Sequence, residues 1–174
     1  MITPAWCRLM AAYNSEMNRR IYAAASELPD ETRKRDTGAF FGSLHGTLSH
    51  LLWADRLWMS RFAEGWERPS VGIPGSTTLY DDFNALRTAR VEADARIEAW
   101  AATLTEQALA GDLTWYSGAT QRERTEKRWI AYVHFFNQQT HHRGQAHCLL
   151  TQAGVRPADT DLPFILDLRA LGLT

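Results

Sequence analysis

The run Trp129 to Gly154, W-I-A-Y-V-H-F-F-N-Q-Q-T-H-H-R-G-Q-A-H-C-L-L-T-Q-A-G, holds four of the chain's six histidines, and its period is that of a helix. At 100° per residue, Ala131, Phe135, Gln138, His142, Gln145 and Leu149 share one arc, so imidazole and amide groups lie on a face that also carries apolar bulk. Such a face turns inward. Buried polar nitrogens and oxygens then need partners, which a divalent metal or a polar substrate can supply. Gly154 closes this last long helix as a C-cap.

Working outward, the same amphipathic pattern recurs three times. Thr3-Pro4 reads as an N-cap with proline at the first helical position, and Trp6, Leu9, Met10, Tyr13, Met17, Ile21 and Leu28 continue it to about Leu28, where Pro29 and Asp30 stop it. The charged run Asp30 to Asp36 is a solvated connection with room for one extra turn. Gly42-Ser43 starts a second helix that carries Leu44, Leu48, Leu51, Leu52, Trp58, Met59 and Phe62, ends near Gly65, and bears His45, His50 and Asp55. Gly65 to Thr78, rich in glycine and proline, is a long crossing loop. Asp81 and Asp82 open a third helix to about Thr103, whose Arg87, Arg90, Glu92, Asp94, Arg96 and Glu98 read as a mixed-sign solvated face.

Leu113 to Lys127 alternates around Ser117-Gly118, which predicts a short hairpin leaning on the helices. The tail from Val155, with Pro163, Phe164, Ile165 and Leu166, is apolar enough to pack back. The fold expected is all-α: one domain over residues 1–174, a four-helix bundle with a long crossover loop and a small β-hairpin insert before the last long helix. Its seven tryptophans suit the core of such a bundle.

Charge and motifs narrow the function. With 19 basic against 20 acidic side chains, a net charge of −1 gives no electrostatic case for nucleic acid or an anionic membrane, and leaves a small molecule or a protein as partner. No segment has the roughly 18 to 20 apolar residues of a membrane span, and the opening M-I-T-P-A-W-C-R-L-M has no basic region followed by an apolar run, so the expected location is cytoplasmic. Cys7 and Cys148 read as reduced core thiols. There is no G-x-S-x-G and no phosphate-cradling G-K-[ST] loop. Two histidines four apart would be a strong metal signal, and the chain has none: Gln138 and His142 stand at that spacing, with His134 and His141 two turns apart on a neighbouring line. Spacing alone therefore leaves two readings of His50 and His142, metal ligands or core histidines bonded to side chains and carbonyls.

Two strings carry a family resemblance. Phe40 to Phe62, F-F-G-S-L-H-G-T-L-S-H-L-L-W-A-D-R-L-W-M-S-R-F, and Phe136 to Gly154, which contains T-H-H-R-G-Q, resemble the DinB-like superfamily of bacterial damage-inducible proteins, as do Tyr13-Asn14 and Leu79 to Phe83. The resemblance implies a four-helix bundle, commonly a homodimer, with a divalent metal such as zinc or nickel on three histidines. Carried over, the ligand of the second helix is His50, and the last helix supplies positions 138 and 142, the second of them His142. Position 138 is Gln138, whose neutral amide oxygen is a poorer ligand than an imidazole nitrogen. His45, His134, His141 and His147 match no ligand position and are assigned supporting or surface roles. Relatives in the wider superfamily include metal-dependent transferases and isomerases that use a low-molecular-weight thiol. The resemblance thus implies either a metal-dependent, thiol-using enzyme or, given Gln138, a non-catalytic ligand-binding or scaffold protein of the stress response.

Overall fold

The structure, a computed structural model, describes residues 2–118 and 120–173. The chain is mostly helical with one small antiparallel sheet: α1 (Pro4–Ser26), α2 (Asp30–Lys34), α3 (Leu44–Phe62), α4 (Phe83–Thr103), α5 (Glu106–Leu109), β1 (Asp112–Ser117), β2 (Arg122–Lys127), α6 (Arg128–Gln152) and α7 (Leu162–Ile165).

The expected start signals act as caps. Thr3 accepts the Trp6 N–H ahead of α1, Ser43 accepts that of Gly46 ahead of α3, and Asp82 accepts that of Ala85 ahead of α4, each filling a donor that the first turn leaves open. Gly154 has φ +86°, which lets Val155 N–H return to the Leu150 carbonyl and end α6. The charged connection does form its one turn, α2. The crossing segment is more ordered than its composition suggests: Ile73–Thr78 is a 3-10 turn with Pro74 near its start and Ser76 buried against α3. The hairpin forms with Trp115 opposite Arg124. The tail packs back in part. Val155 rests on the core, Tyr13 donates from its hydroxyl to the Thr160 carbonyl at 2.8 Å, and Phe164 stands exposed.

The four long helices share two apolar clusters with a polar layer between them. One gathers Ile21, Leu48, Leu52, Phe83, Leu86 and Leu150; the other gathers Cys7, Met59, Ile97, Tyr132, Phe135 and Phe136. α1 and α6 pass from the second cluster to the first along the chain, whereas α3 and α4 pass from the first to the second. α3 and α4, consecutive among the long helices, therefore run the same way. The segment between them has to travel back along the helices before α4 begins, which is the work of residues 63–82.

Where the clusters meet, Asn14, Asn18, Asp55, Arg90, Asp94, Gln139 and Arg143 are all buried. This corrects the solvated reading of the third helix, because Arg90 and Asp94 point inward. Arg90 Nη1 donates to Asp55 at 2.6 Å, and its Nη2 lies 2.8 Å from Asp94 as an ion pair without hydrogen-bond geometry. Asn18 donates to Asp94 at 2.9 Å, Gln139 donates to Asp55 at 2.8 Å, and Asn14 donates to Gln139. Burial pushes the Asp55 and Asp94 carboxyls up, Asp94 to about 6, while Arg90 holds both down. Two cations and two carboxyls taken out of water together balance their charge locally.

Candidate functional site

α3 and α6 pack side by side and bring the predicted residues together. The rings of His50 and His142 lie 4.9 Å apart, nearly perpendicular at 81°. Ser76 Oγ donates to the Ile73 carbonyl at 2.6 Å, so toward His50 Nδ1, 2.8 Å away, it accepts. His50 therefore carries its proton on Nδ1 and leaves the Nε2 lone pair free. His142 Nδ1 likewise donates to Gln145 Oε1 at 2.8 Å. Among the described residues neither Nε2 has a hydrogen-bond partner, and an imidazole held at Nδ1 with Nε2 open is the form that binds a metal.

Both rings stay neutral near pH 7. Burial and the neighbouring His142 push His50 down to about 4, and burial pushes His142 down against the opposing effect of its hydrogen bond to Gln145. Phe41 stacks on His50 with ring centres 3.8 Å apart and meets His142 edge-on at 5.2 Å. A stack covers the face of an imidazole, whereas its lone pair lies in the ring plane and stays open. Gly46 makes the stack possible, because a Cβ there would run into the Phe41 carbonyl oxygen.

Gln138, one turn before His142, is half-buried beside His50 on the same cleft, with its Nε2 3.5 Å from Asp55. Its nitrogen faces the carboxylate, which leaves its amide oxygen as the one acceptor it could offer an ion. What these three side chains could offer an ion is two imidazole nitrogens and one neutral oxygen. Among the described residues no group of three histidine, cysteine, aspartate or glutamate side chains is placed to hold a metal. The two histidines fit an ion; the third position is weak.

The other histidines divide as their surroundings require. His45 is buried, with Nε2 2.7 Å from the Tyr80 carbonyl, and fixes the end of the crossing segment. His134 packs against Trp58 at 4.9 Å, His141 is exposed, and His147 lines a separate small cavity with Tyr13 and Arg143. Cys7 is buried as expected, and burial pushes its thiol up to about 12. Cys148 is not a core residue: it is exposed, because α6 turns its Ala146, Leu149 and Leu150 inward at that level.

His50 and Gln138 open onto a cleft of about 860 Å³. One wall is α3, another the crossing segment, pinned by Trp53 Nε1 donating to the Val71 carbonyl at 2.8 Å and by Ser49 donating to that of Ser76 at 2.8 Å. The hairpin brings Trp115 and Arg124 to the far side.

Sequence reasoning missed the polar layer, although a signal for it exists. Five of its seven members sit seven residues from buried apolar neighbours on both sides along their own helix: Cys7, Asn14 and Ile21; Ala11, Asn18 and Ala25; Phe83, Arg90 and Ile97; Tyr132, Gln139 and Ala146; Phe136, Arg143 and Leu150. A charged residue on an apolar seam is a buried one.

Two neutral imidazoles with open lone pairs thus lie between α3 and α6, and the first of them, His50, also lines the aromatic cleft. The model of the DinB family matches residues 1–170, and the chain belongs to that family. No curated protein and no solved structure matches the chain.

Proposed function

We propose that His50 and His142 hold a divalent metal, zinc or nickel, with Gln138 and solvent completing its coordination, in a cytoplasmic four-helix-bundle protein that acts as a thiol-dependent transferase. The observation that carries the reading is the pair of Nδ1-anchored, neutral imidazoles 4.9 Å apart with both Nε2 atoms open. A metal bound there lowers the pKa of a thiol that reaches it, which supplies a nucleophile without a protein residue. The chain's own contribution is positional. Ser76 and Gln145 fix the two rings, Phe41 excludes water from one face, and the crossing segment and hairpin shape the approach for a small-molecule substrate or a low-molecular-weight thiol.

Metal analysis of protein purified without a histidine tag tests this. The wild type should take up about one equivalent of zinc or nickel, and the metal should raise its melting temperature by mass action. His142→Ala should lose both effects, with about 1–3 kcal/mol of metal-independent stability lost as well. An equal metal-dependent shift in the two proteins would remove His142 from the site.

A second reading, a non-catalytic ligand-binding or scaffold protein of the stress response, is favoured by the absence of a third strong ligand among the described residues. Under it, metal raises neither melting temperature. We also propose a homodimer, supported by exposed Phe40 and Val91 on the outer surface. Light scattering should give twice the chain mass at micromolar concentration, and a strictly monomeric mass would refute it.

A further inference from the structure

The cleft in front of His50 has a one-sided chemistry. Arg61, Arg68 and Arg124 line it together with Trp53, Trp58 and Trp115, and no aspartate or glutamate is among its lining residues. Arg61 is the most telling of the three. Its guanidinium sits 4.4 Å from the Trp58 ring centre and 5.6 Å from that of Trp115, and among the described residues it has no carboxylate partner and makes no side-chain hydrogen bond. Half-buried beside Arg68, it is a cation whose charge is opposed: burial and the Arg68 charge push it down to about 10. Arg124, half-buried on β2, reaches only Glu126 of its own strand, at 3.6 Å. Arg90 of the polar layer, by contrast, lies within 2.8 Å of two carboxylates. A partly desolvated guanidinium kept without a counter-charge, with its fork of donors open to a cleft, is arranged for an anion that comes from outside.

The aromatic side has a shape as well. Trp58 meets Trp115 at 5.5 Å and 64°, so the two rings form a corner rather than a stack, and His134 closes on Trp58 from α6. Arg61 covers the Trp58 ring closely and the Trp115 ring only loosely, so the corner offers a flat apolar body chiefly the half-buried Trp115 indole, with the guanidinium beside it.

We infer that this cleft binds a small organic anion with a flat apolar body, its acidic group taken by Arg61 with Arg68 and Arg124, and its body held in the Trp58–Trp115 corner. The inference rests on the reading of this cleft as the approach to the His50–His142 pair, and it needs no metal. It names the chemical class of the substrate: an aromatic or otherwise planar carboxylate, or another planar oxyanion, rather than a neutral or cationic molecule.

Calorimetry with three probes tests it, using the full chain with a chelator present throughout so that no probe can bind through a metal. The probes are 2-naphthoate, its neutral counterpart 2-naphthylmethanol, and acetate, which has the charge without the body. Wild type should bind 2-naphthoate at least about tenfold more tightly than either of the others, because a charge-assisted contact to a half-buried guanidinium is worth about one decade of affinity. Arg61→Gln should reduce the acid-to-alcohol ratio by about threefold to tenfold, and Trp115→Ala should weaken acid and alcohol alike. Arg124→Gln lies on the hairpin, outside the helical core, and provides the same readout if Arg61→Gln fails to fold. Equal affinity for acid and alcohol, no binding of 2-naphthoate at millimolar concentration, or an unchanged ratio in the arginine variants would overturn the inference. Metal uptake is read separately. A protein that takes up metal but does not prefer 2-naphthoate refutes the anion site alone, and one that prefers 2-naphthoate but takes up no metal refutes the proposed metal centre alone.

Discussion

The molecule places polar side chains between its helices twice, in opposite ways. In the layer around Asp55 the charges answer one another: Arg90 contacts Asp55 and Asp94 at 2.6 and 2.8 Å, with Asn18 and Gln139 as further donors. Nearby, His50 on the wall of the cleft and His142 beside it have open nitrogens, and Arg61 on the same wall has no counter-charge among the described residues. Desolvation costs more in the layer, where ionised groups are fully buried, and ion pairs within the layer offset much of it. The contrast separates charges paired within the chain, as Arg90 is with Asp55 and Asp94, from side chains held in position with no partner among the described residues for the imidazole Nε2 atoms or the Arg61 charge.

Removing one member of the closed layer is the hardest test of that contrast. Asp55→Ala leaves Arg90 and Gln139 buried without their acceptor, and chemical denaturation should show a loss of about 3–5 kcal/mol, as for other broken buried pairs. A loss below about 1 kcal/mol would mean that water reaches the layer and that it is not closed.

The open pair should respond to acid instead. His50 has a folded pKa of about 4 against an ordinary 6.5, so between those values the unfolded chain binds a proton that the folded protein does not. Its contribution to stability is complete above pH 6.5 and is lost as pH falls toward 4, with a slope of at most ~1.4 kcal/mol per pH unit and less where the cleft admits water. Asp94, raised to about 6 by burial, acts in the opposite direction, so the readout is the difference between wild type and His50→Phe in chelator-treated protein. Wild type should lose stability relative to the variant as pH is lowered through that window. A difference that does not change with pH would place His50 in water.

Helix positions and their caps were legible because each rests on local chemistry: Thr3, Ser43, Asp82 and Gly154 act on backbone groups within one turn of themselves. The histidine pair was legible through the family strings and the spacing of Gln138 and His142. Arg90 and Asp94 were misread because charges of both signs at helical spacing resemble a solvated face, and their burial depends on Asp55 and Asn18, which lie on other helices. Cys148 was misread for the converse reason: an apolar run such as Cys148-Leu149-Leu150 does not say which residue of three faces out. The cationic cleft draws Arg61 from α3, Arg68 from the crossing segment and Arg124 from the hairpin, and no single stretch of sequence shows such a meeting.

The shared direction of α3 and α4 bears on how the chain comes to be folded. α1 packs on α4 and α6, both of which are made after it, α6 after the other three long helices. Asn14 must wait for Gln139, and Asn18 for Asp94. During synthesis α1 thus lacks its two main neighbours until α4 and then α6 have left the ribosome. The packing of α1 on α4 and α6 and of α3 on α6 joins distant parts of the chain, and contacts of that kind form more slowly than those between successive helices. The segment that walls the cleft is also the one that obliges the nascent protein to wait.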